Sequence, residues 1–174
     1  MTLYATLVEL IDLRSFSNLW YWIALGVIWS SASHWVLGVP YDMVHRARRE
    51  GGQALEDLET MVRINTSRML YFSRNQGPWL VGFVCFLVTT LALTGFAYHS
   101  EFAQAVLFLF IPLCVLGYLS LRAAIKIETG EGQGEALFRR LFWHRTSVQF
   151  LGMVSIFVTS LYGMYVNLQF ITGH

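Results

Sequence analysis

Apolar positions in this chain fall in long continuous runs. Four runs, at about 18–37, 78–98, 102–121 and 146–170, contain no Asp, Glu, Lys or Arg. Roughly 20 apolar residues in helical form cross about 30 Å of hydrocarbon, and each run meets that length. A membrane β-barrel shows alternating segments of ~10 residues instead. The pattern predicts an all-α membrane protein, one domain over 1–174, with four transmembrane helices.

The segments between the runs are also patterned. Residues 3–13 set Leu3, Leu7, Leu10 and Ile11 among Glu9 and Asp12, which predicts an N-terminal helix lying in the outer interface. The first long loop, 41–74, reads as helical. Residues 41–50 form one helix that stops at Gly51–Gly52. From 53 to 73, Leu55, Leu58, Met61, Val62, Met69 and Phe72 recur near helical spacing, with Arg63, Arg68 and Arg74 among them. That combination predicts a basic amphipathic helix resting on anionic headgroups, with a protein-docking surface as the alternative. The third helix is expected to continue to Glu128 and end at Gly130, and the fourth to begin near Glu135. Both overshoot the bilayer, so they form a hairpin rising from it. The tip glycines Gly130, Gly132 and Gly134 lack the strand and the Lys-Ser/Thr pair of a phosphate loop.

Composition agrees. Of 174 residues 55% are apolar and 13% charged, and mean hydropathy is +0.50. Soluble domains carry about 25% charged residues. A net charge of +1 gives no footprint for nucleic acid. Two cysteines make no disulfide framework. The charges are sorted by side. Arg46, Arg48, Arg49, Arg63, Arg68 and Arg74 lie between spans one and two, and Arg122, Lys126, Arg139, Arg140 and Arg145 between spans three and four. Only Arg14 lies elsewhere. The positive-inside bias then predicts both loops cytoplasmic, both termini periplasmic, and a multi-pass protein of the bacterial inner membrane. Glu9 and Asp12 replace the basic start of a signal peptide, so the first span is expected to stay in the mature chain.

Small residues mark where helices pack closely in lipid. Ser155, Thr159 and Gly163 recur every fourth residue in span four, and Gly26 and Ser30 do the same in span one. Spans two and three are joined by only a few residues around His99, so Gly82 is expected at the depth of Gly117, and Cys85 at that of Cys114. The cysteines read as free thiols rather than a metal pair, since two sulfurs do not fill a tetrahedral site. Pro112 is expected to kink span three. Trp20 and Trp22 fall at the outer interface, Trp35, Trp79 and Trp143 near the inner one, and Trp29 is central.

Chemistry has few candidates. The spans hold no charge, which removes most support for a proton relay. Ser30, Ser31, Ser33, Thr89, Thr90, Thr94, Gln149 and Asn167 leave a polar pore as a minor reading. His34 and His144 approach the inner boundary but are offset, so a haem held by two histidines does not follow. His34 alone is the candidate haem or pigment ligand, against an interfacial structural role. No cofactor, metal site or catalytic constellation is predicted, and the chain is not expected to be an enzyme.

One resemblance adds to this. The segment Ser15–Phe16–Ser17–Asn18–Leu19–Trp20–Tyr21–Trp22 and the segment Ser30–Ser31–Ala32–Ser33–His34–Trp35–Val36–Leu37–Gly38–Val39–Pro40 resemble a family of small alphaproteobacterial inner-membrane proteins usually labelled "component of SufBCD complex". The similarity runs nearly the whole chain, through Gly152–Met153–Val154–Ser155–Ile156–Phe157–Val158–Thr159. It implies a bacterial inner-membrane protein and brings no catalytic residues. The expected function is a non-catalytic accessory or assembly subunit of a larger membrane complex, of respiratory or photosynthetic type. Its expected partners are anionic lipids of the cytoplasmic leaflet and other membrane-protein subunits. The alternatives are a haem- or pigment-binding protein using His34 and a small homo-oligomeric channel.

Overall fold

A computed structural model describes Phe16 and residues 19–172. The expected interfacial helix at 3–13 lies outside the described residues. In order, the elements are α1 (Leu19–His34), β1 (Trp35–Val36), β2 (Val39–Pro40), α2 (Tyr41–Glu50), α3 (Gly52–Ala92), α4 (Glu101–Lys126) and α5 (Gly134–Thr172). Single π-helical turns, Leu93–Ala97 and Ile127–Glu131, extend α3 and α4.

Three helices are long and apolar enough to cross a membrane, α3, α4 and α5 with their π-turns. At ~1.5 Å per residue, the 41 residues of α3 rise about 62 Å and the 39 of α5 about 58 Å. That is roughly twice the hydrocarbon thickness. Their apolar stretches share one end of the bundle, and their arginine-rich stretches share the other. α1 has 16 described residues, rising about 24 Å, and packs along α5.

α1 ends at His34 rather than at residue 37, and the turn chemistry explains why. Leu37 and Gly38 both have positive φ, 51° and 76°. Positive φ at both central positions is the requirement of a two-residue type I′ hairpin. Trp35 pairs with Pro40 and Val36 with Val39 across it. A Cβ on Gly38 would sit 3.0 Å from Asn65 Nδ2, and that amide donates to the Gly38 carbonyl at 3.1 Å. The hairpin is thereby fastened to α3. Pro40 then leads directly into α2.

The segment 53–73 is not a separate surface helix. It is the first half of α3, unbroken through Pro78 into the apolar stretch. Its buried stripe is Ala54, Leu58, Val62, Thr66 and Leu70. Met61 and Phe72, expected on the same face, are exposed. The buried positions recur every fourth residue, and Met61 and Phe72 fall off that repeat. The stripe packs into a core of Val36, Leu37, Val39, Val44, Ala47, Ala123, Ile127, Leu137 and Leu141. Leu58 and Val62 are therefore occupied inside the chain, while Met61, Ile64 and Phe72 face outward.

The α4–α5 turn follows the expected line. α4 gives way to a π-turn in which Gly130 takes φ 140°, and α5 starts at Gly134, φ 54°. Glu59 accepts the Gly134 N–H at 2.8 Å, capping α5 from α3. Arg74 makes a two-armed pair with Glu128, its closer contact at 2.6 Å, and Arg140 pairs with Glu131. α4 runs unbroken through Pro112.

At the opposite end, Phe16, Tyr21 and Ala105 form an aromatic cluster with Trp22, Phe108 and Tyr162. The Phe16 N–H donates to Glu101 at 2.8 Å, Trp22 Nε1 to the Phe16 carbonyl at 3.2 Å and the Tyr21 hydroxyl to the Ala105 carbonyl at 3.1 Å. Gln104 Nε2 donates to Gly95 in the α3 π-turn at 2.7 Å. A Cβ on Gly95 would lie 3.2 Å from the Gln104 backbone nitrogen, so α3 and α4 meet there at backbone distance.

Leu137 is fully buried at the centre of the arginine-rich end. Leu137→Ala should cost about 2–5 kcal/mol, read from unfolding in mild detergent. Leu80→Ala, on the exposed face of the apolar stretch of α3, should change stability by less than ~0.5 kcal/mol. Equal effects would show that this core does not hold the helices together.

Candidate functional site

The residues singled out from the sequence separate into two groups. Ser155, Thr159 and Gly163 are buried on one face of α5, with Gly152 and Val148 continuing it. A Cβ on Gly152 would fall 2.9 Å from the Trp29 ring, and one on Gly163 3.3 Å from Phe16. α1 meets this stripe with Tyr21, Leu25 and Trp29. Gly26 and Ser30 lie on the other side of α1, exposed, and a Cβ on Gly26 would meet nothing within 4 Å. Gly82 and Gly117 are likewise exposed with open space, so they do not touch. The reason is the aromatic ridge. Tyr21, Leu25 and Trp29 carry far more contact area than a glycine face, and a helix has one side to turn inward. Cys85 is exposed, Cys114 half-buried, and both are free thiols.

His34 closes α1 and is largely exposed, its Nε2 3.8 Å from Asp42 and its ring edge-on to Trp35. No group of three His, Cys, Asp or Glu side chains is placed to hold a metal among the described residues. The hydroxyls of Thr89, Thr94, Thr146, Ser147 and Ser160 donate to carbonyls of their own helices. Of the pore candidates, Thr89 and Thr94 are thus bonded to their own backbone. Arg46, Arg48, Arg49, Arg63, Arg68 and Arg74 are all exposed at one end, with Arg74 held by Glu128.

His144 is the histidine the fold encloses. It is 7% exposed and shares a 3.1 Å hydrogen bond between its Nε2 and Ser120 Oγ on α4. Its Nδ1 has no partner among the described residues. It lines a crevice of about 170 Å³ between α4 and α5, together with Leu119, Arg122, Ala123, Lys126, Arg140, Trp143 and Ser147. Arg122 and Lys126 are one helical turn apart on α4, and Arg140, His144 and Ser147 follow one face of α5. The i, i+4 spacing of these basic residues was the available signal, hidden by counting them only for sidedness. Arg140 lies against Glu131, which holds that carboxyl below the usual range and raises the guanidinium. Arg122 and Lys126 have no ion-pair partner among the described residues.

A second, wider cleft of about 660 Å³ opens between α3 and the α4–α5 turn, bounded by Glu56, Glu59, Arg63, Glu128, Gly130 and Gly132 among others. Its carboxylates are partly committed, Glu59 to the Gly134 N–H and Glu128 to Arg74. Arg145 stacks over Tyr41 at 3.8 Å, joining α5 to α2.

Comparison with protein-family models, with curated proteins and with solved structures finds no match.

His144 sits just outside the apolar run of α5. Burial, reinforced by the Arg140 charge, pushes its imidazole down to about 4. Between that value and the ordinary one near 6.5, the unfolded chain binds a proton that the folded chain refuses. This contribution to stability is complete above about pH 6.5 and is lost progressively as pH falls toward 4. The unfolding temperature in detergent should therefore be level above neutrality and decline through the mildly acidic range. His144→Gln should flatten that decline. A wild-type profile that stays level into the acid range would contradict a buried neutral ring.

Proposed function

We propose that this chain is a non-catalytic accessory or assembly subunit of a larger bacterial inner-membrane complex, respiratory or photosynthetic in type. In this reading it crosses the membrane four times, α1 being the first span, with both termini periplasmic and the arginine-rich end cytoplasmic. It is grouped with the small alphaproteobacterial family that its segments resemble. α1 supports the fourth crossing. It carries no Asp, Glu, Lys or Arg and exposes Leu19, Ile23 and Val27 along one side.

The observation that carries the subunit reading is the outward direction of the small residues. Gly26, Gly82 and Gly117 are all open to a neighbour and unused within the chain. In lipid, helices associate where small residues let backbones approach, since apolar area alone gives no drive. The apolar stretch of α3 is the barest. Only 6% of it is buried within the chain, against 22% for α4 and α5. The expected neighbours are other membrane-protein subunits, and anionic lipids beneath the exposed arginines of α2 and α3.

Two measurements test this. Thr60 and Gly132 line the same cleft, so cysteines placed at both should be labelled from the same side in intact cells, and one at His99 from the other. Labelling of 60 and 132 from opposite sides would end the topology. Native mass measurement on membrane extracted without detergent should find the chain in a larger assembly. Replacing Gly26, Gly82 and Gly117 by Leu should release it while its own unfolding temperature holds. A wild-type monomer without partners would end the subunit reading.

A further inference from the structure

We propose that the α4–α5 crevice is a binding site for a phosphate group carried by an anionic lipid of the adjacent leaflet. The inference rests on the membrane reading and adds a defined site to it. Arg122, Lys126 and Arg140 surround a crevice of about 170 Å³, the volume of roughly six waters. That suits one tetrahedral oxyanion with part of its hydration. Two of the three cations have no carboxylate partner among the described residues, so the crevice keeps a net positive charge. Ser147 adds a hydroxyl to the lining, although its proton goes to the Trp143 carbonyl and its oxygen is an acceptor.

His144 forms part of the crevice wall and holds it to α4 through Ser120. It is more than nine-tenths buried and lines the crevice, while its unpartnered Nδ1 is itself enclosed away from the opening. When Ser120 donates to Nε2, the neutral ring carries its proton on the unpartnered Nδ1 and is a hydrogen-bond donor. The position suits a lipid source. Leu119 and the 59%-exposed Trp143 give the crevice an apolar edge at the end of the apolar runs, where acyl chains leave a headgroup. Basic pockets between helices on the cytoplasmic side bind anionic headgroups. The exposed arginines of α2 meet a surface, whereas this crevice has walls.

The test uses the full-length protein in nanodiscs of phosphatidylcholine containing a minor share of phosphatidylglycerol. Lipids retained after mild release are counted by native mass spectrometry. Incorporation into the discs is scored first, so failure of the membrane reading shows before any lipid is counted. The wild type should retain phosphatidylglycerol over phosphatidylcholine. The R122Q/K126Q variant should lose that preference about thirtyfold, and R46Q/R49Q on α2 should keep it. Arg140 stays intact because its pair with Glu131 holds the hairpin tip. Unfolding temperatures confirm that both variants fold.

A parallel arm adds inorganic phosphate to protein in phosphatidylcholine alone. Stabilisation there that R122Q/K126Q abolishes, without lipid preference, keeps the phosphate site and overturns the lipid source. Equal loss of lipid in both double variants reduces the effect to diffuse surface charge and overturns the proposal. So does the absence of any anion preference in the wild type.

Discussion

Leu58 and Val62 of α3 and Leu137 and Leu141 of α5, all fully enclosed, share one core at the arginine-rich end with Ala123 of α4 and Ile127 of its π-turn. The other features of the molecule depend on that shared core because α3 and α5 are about twice as long as hydrocarbon is thick. Over the apolar half of each helix, neighbouring side chains gain little by leaving lipid for one another. Over the polar half the solvent is water, and burial of Leu and Val is favourable by about 1.5–3 kcal/mol each. The strongest cohesive force therefore acts beyond the apolar stretches and fixes the spacing of the helices that enter them. The β-hairpin joins the same core through Val36, Leu37 and Val39, which ties the end of α1 to it.

The same constraint explains the polar contacts of this end. Helices that stand free of lipid leave their termini and charges to water, so joining them takes specific pairs. Glu59 caps α5, Arg74 holds Glu128, and Arg145 stacks on Tyr41. At the other end, Glu101 and Tyr21 meet backbone groups of Phe16 and Ala105. Each end is pinned by side-chain hydrogen bonds, and the middle relies on shape, with Trp29 lying on Gly152.

Much of this was legible in the sequence because it follows from local rules. Charge-free runs mark the apolar stretches of α3, α4 and α5. Gly51–Gly52 and Gly130 mark breaks at the positions where the backbone takes positive φ. The four-residue stripe of α5 marks a buried face. The parts that were not legible depend on competition between faces. Gly26 and Ser30 match the stripe motif as well as Ser155 and Thr159 do, and only the positions of Tyr21, Leu25 and Trp29 decide which side of α1 turns inward. The apolar residues of 53–73 could be assigned to lipid or to protein with equal economy. The fold divides them, with Leu58 and Val62 in the core and Met61 and Phe72 outward, on a helix that runs unbroken through Pro78. The hairpin at 35–40 was hidden by a Leu at positive φ, a conformation that residue rarely adopts.

The crevice shows how a site arises from packing that serves another end. Ala123 and Leu141 draw α4 and α5 together on the core side. One turn away, Arg122 and Lys126 of α4 face Arg140 of α5 across the opening, and Arg140 turns to Glu131. His144 fits between these layers only as a neutral ring, since the Arg140 charge and the loss of water both oppose its protonation. A core that brings two helices into contact, flanked by cations that cannot pack, leaves a walled, positively charged opening between them. Its depth is set by where the apolar runs stop. The opening thus lies at the boundary between the apolar and the arginine-rich stretches, which is the place the proposed headgroup site requires.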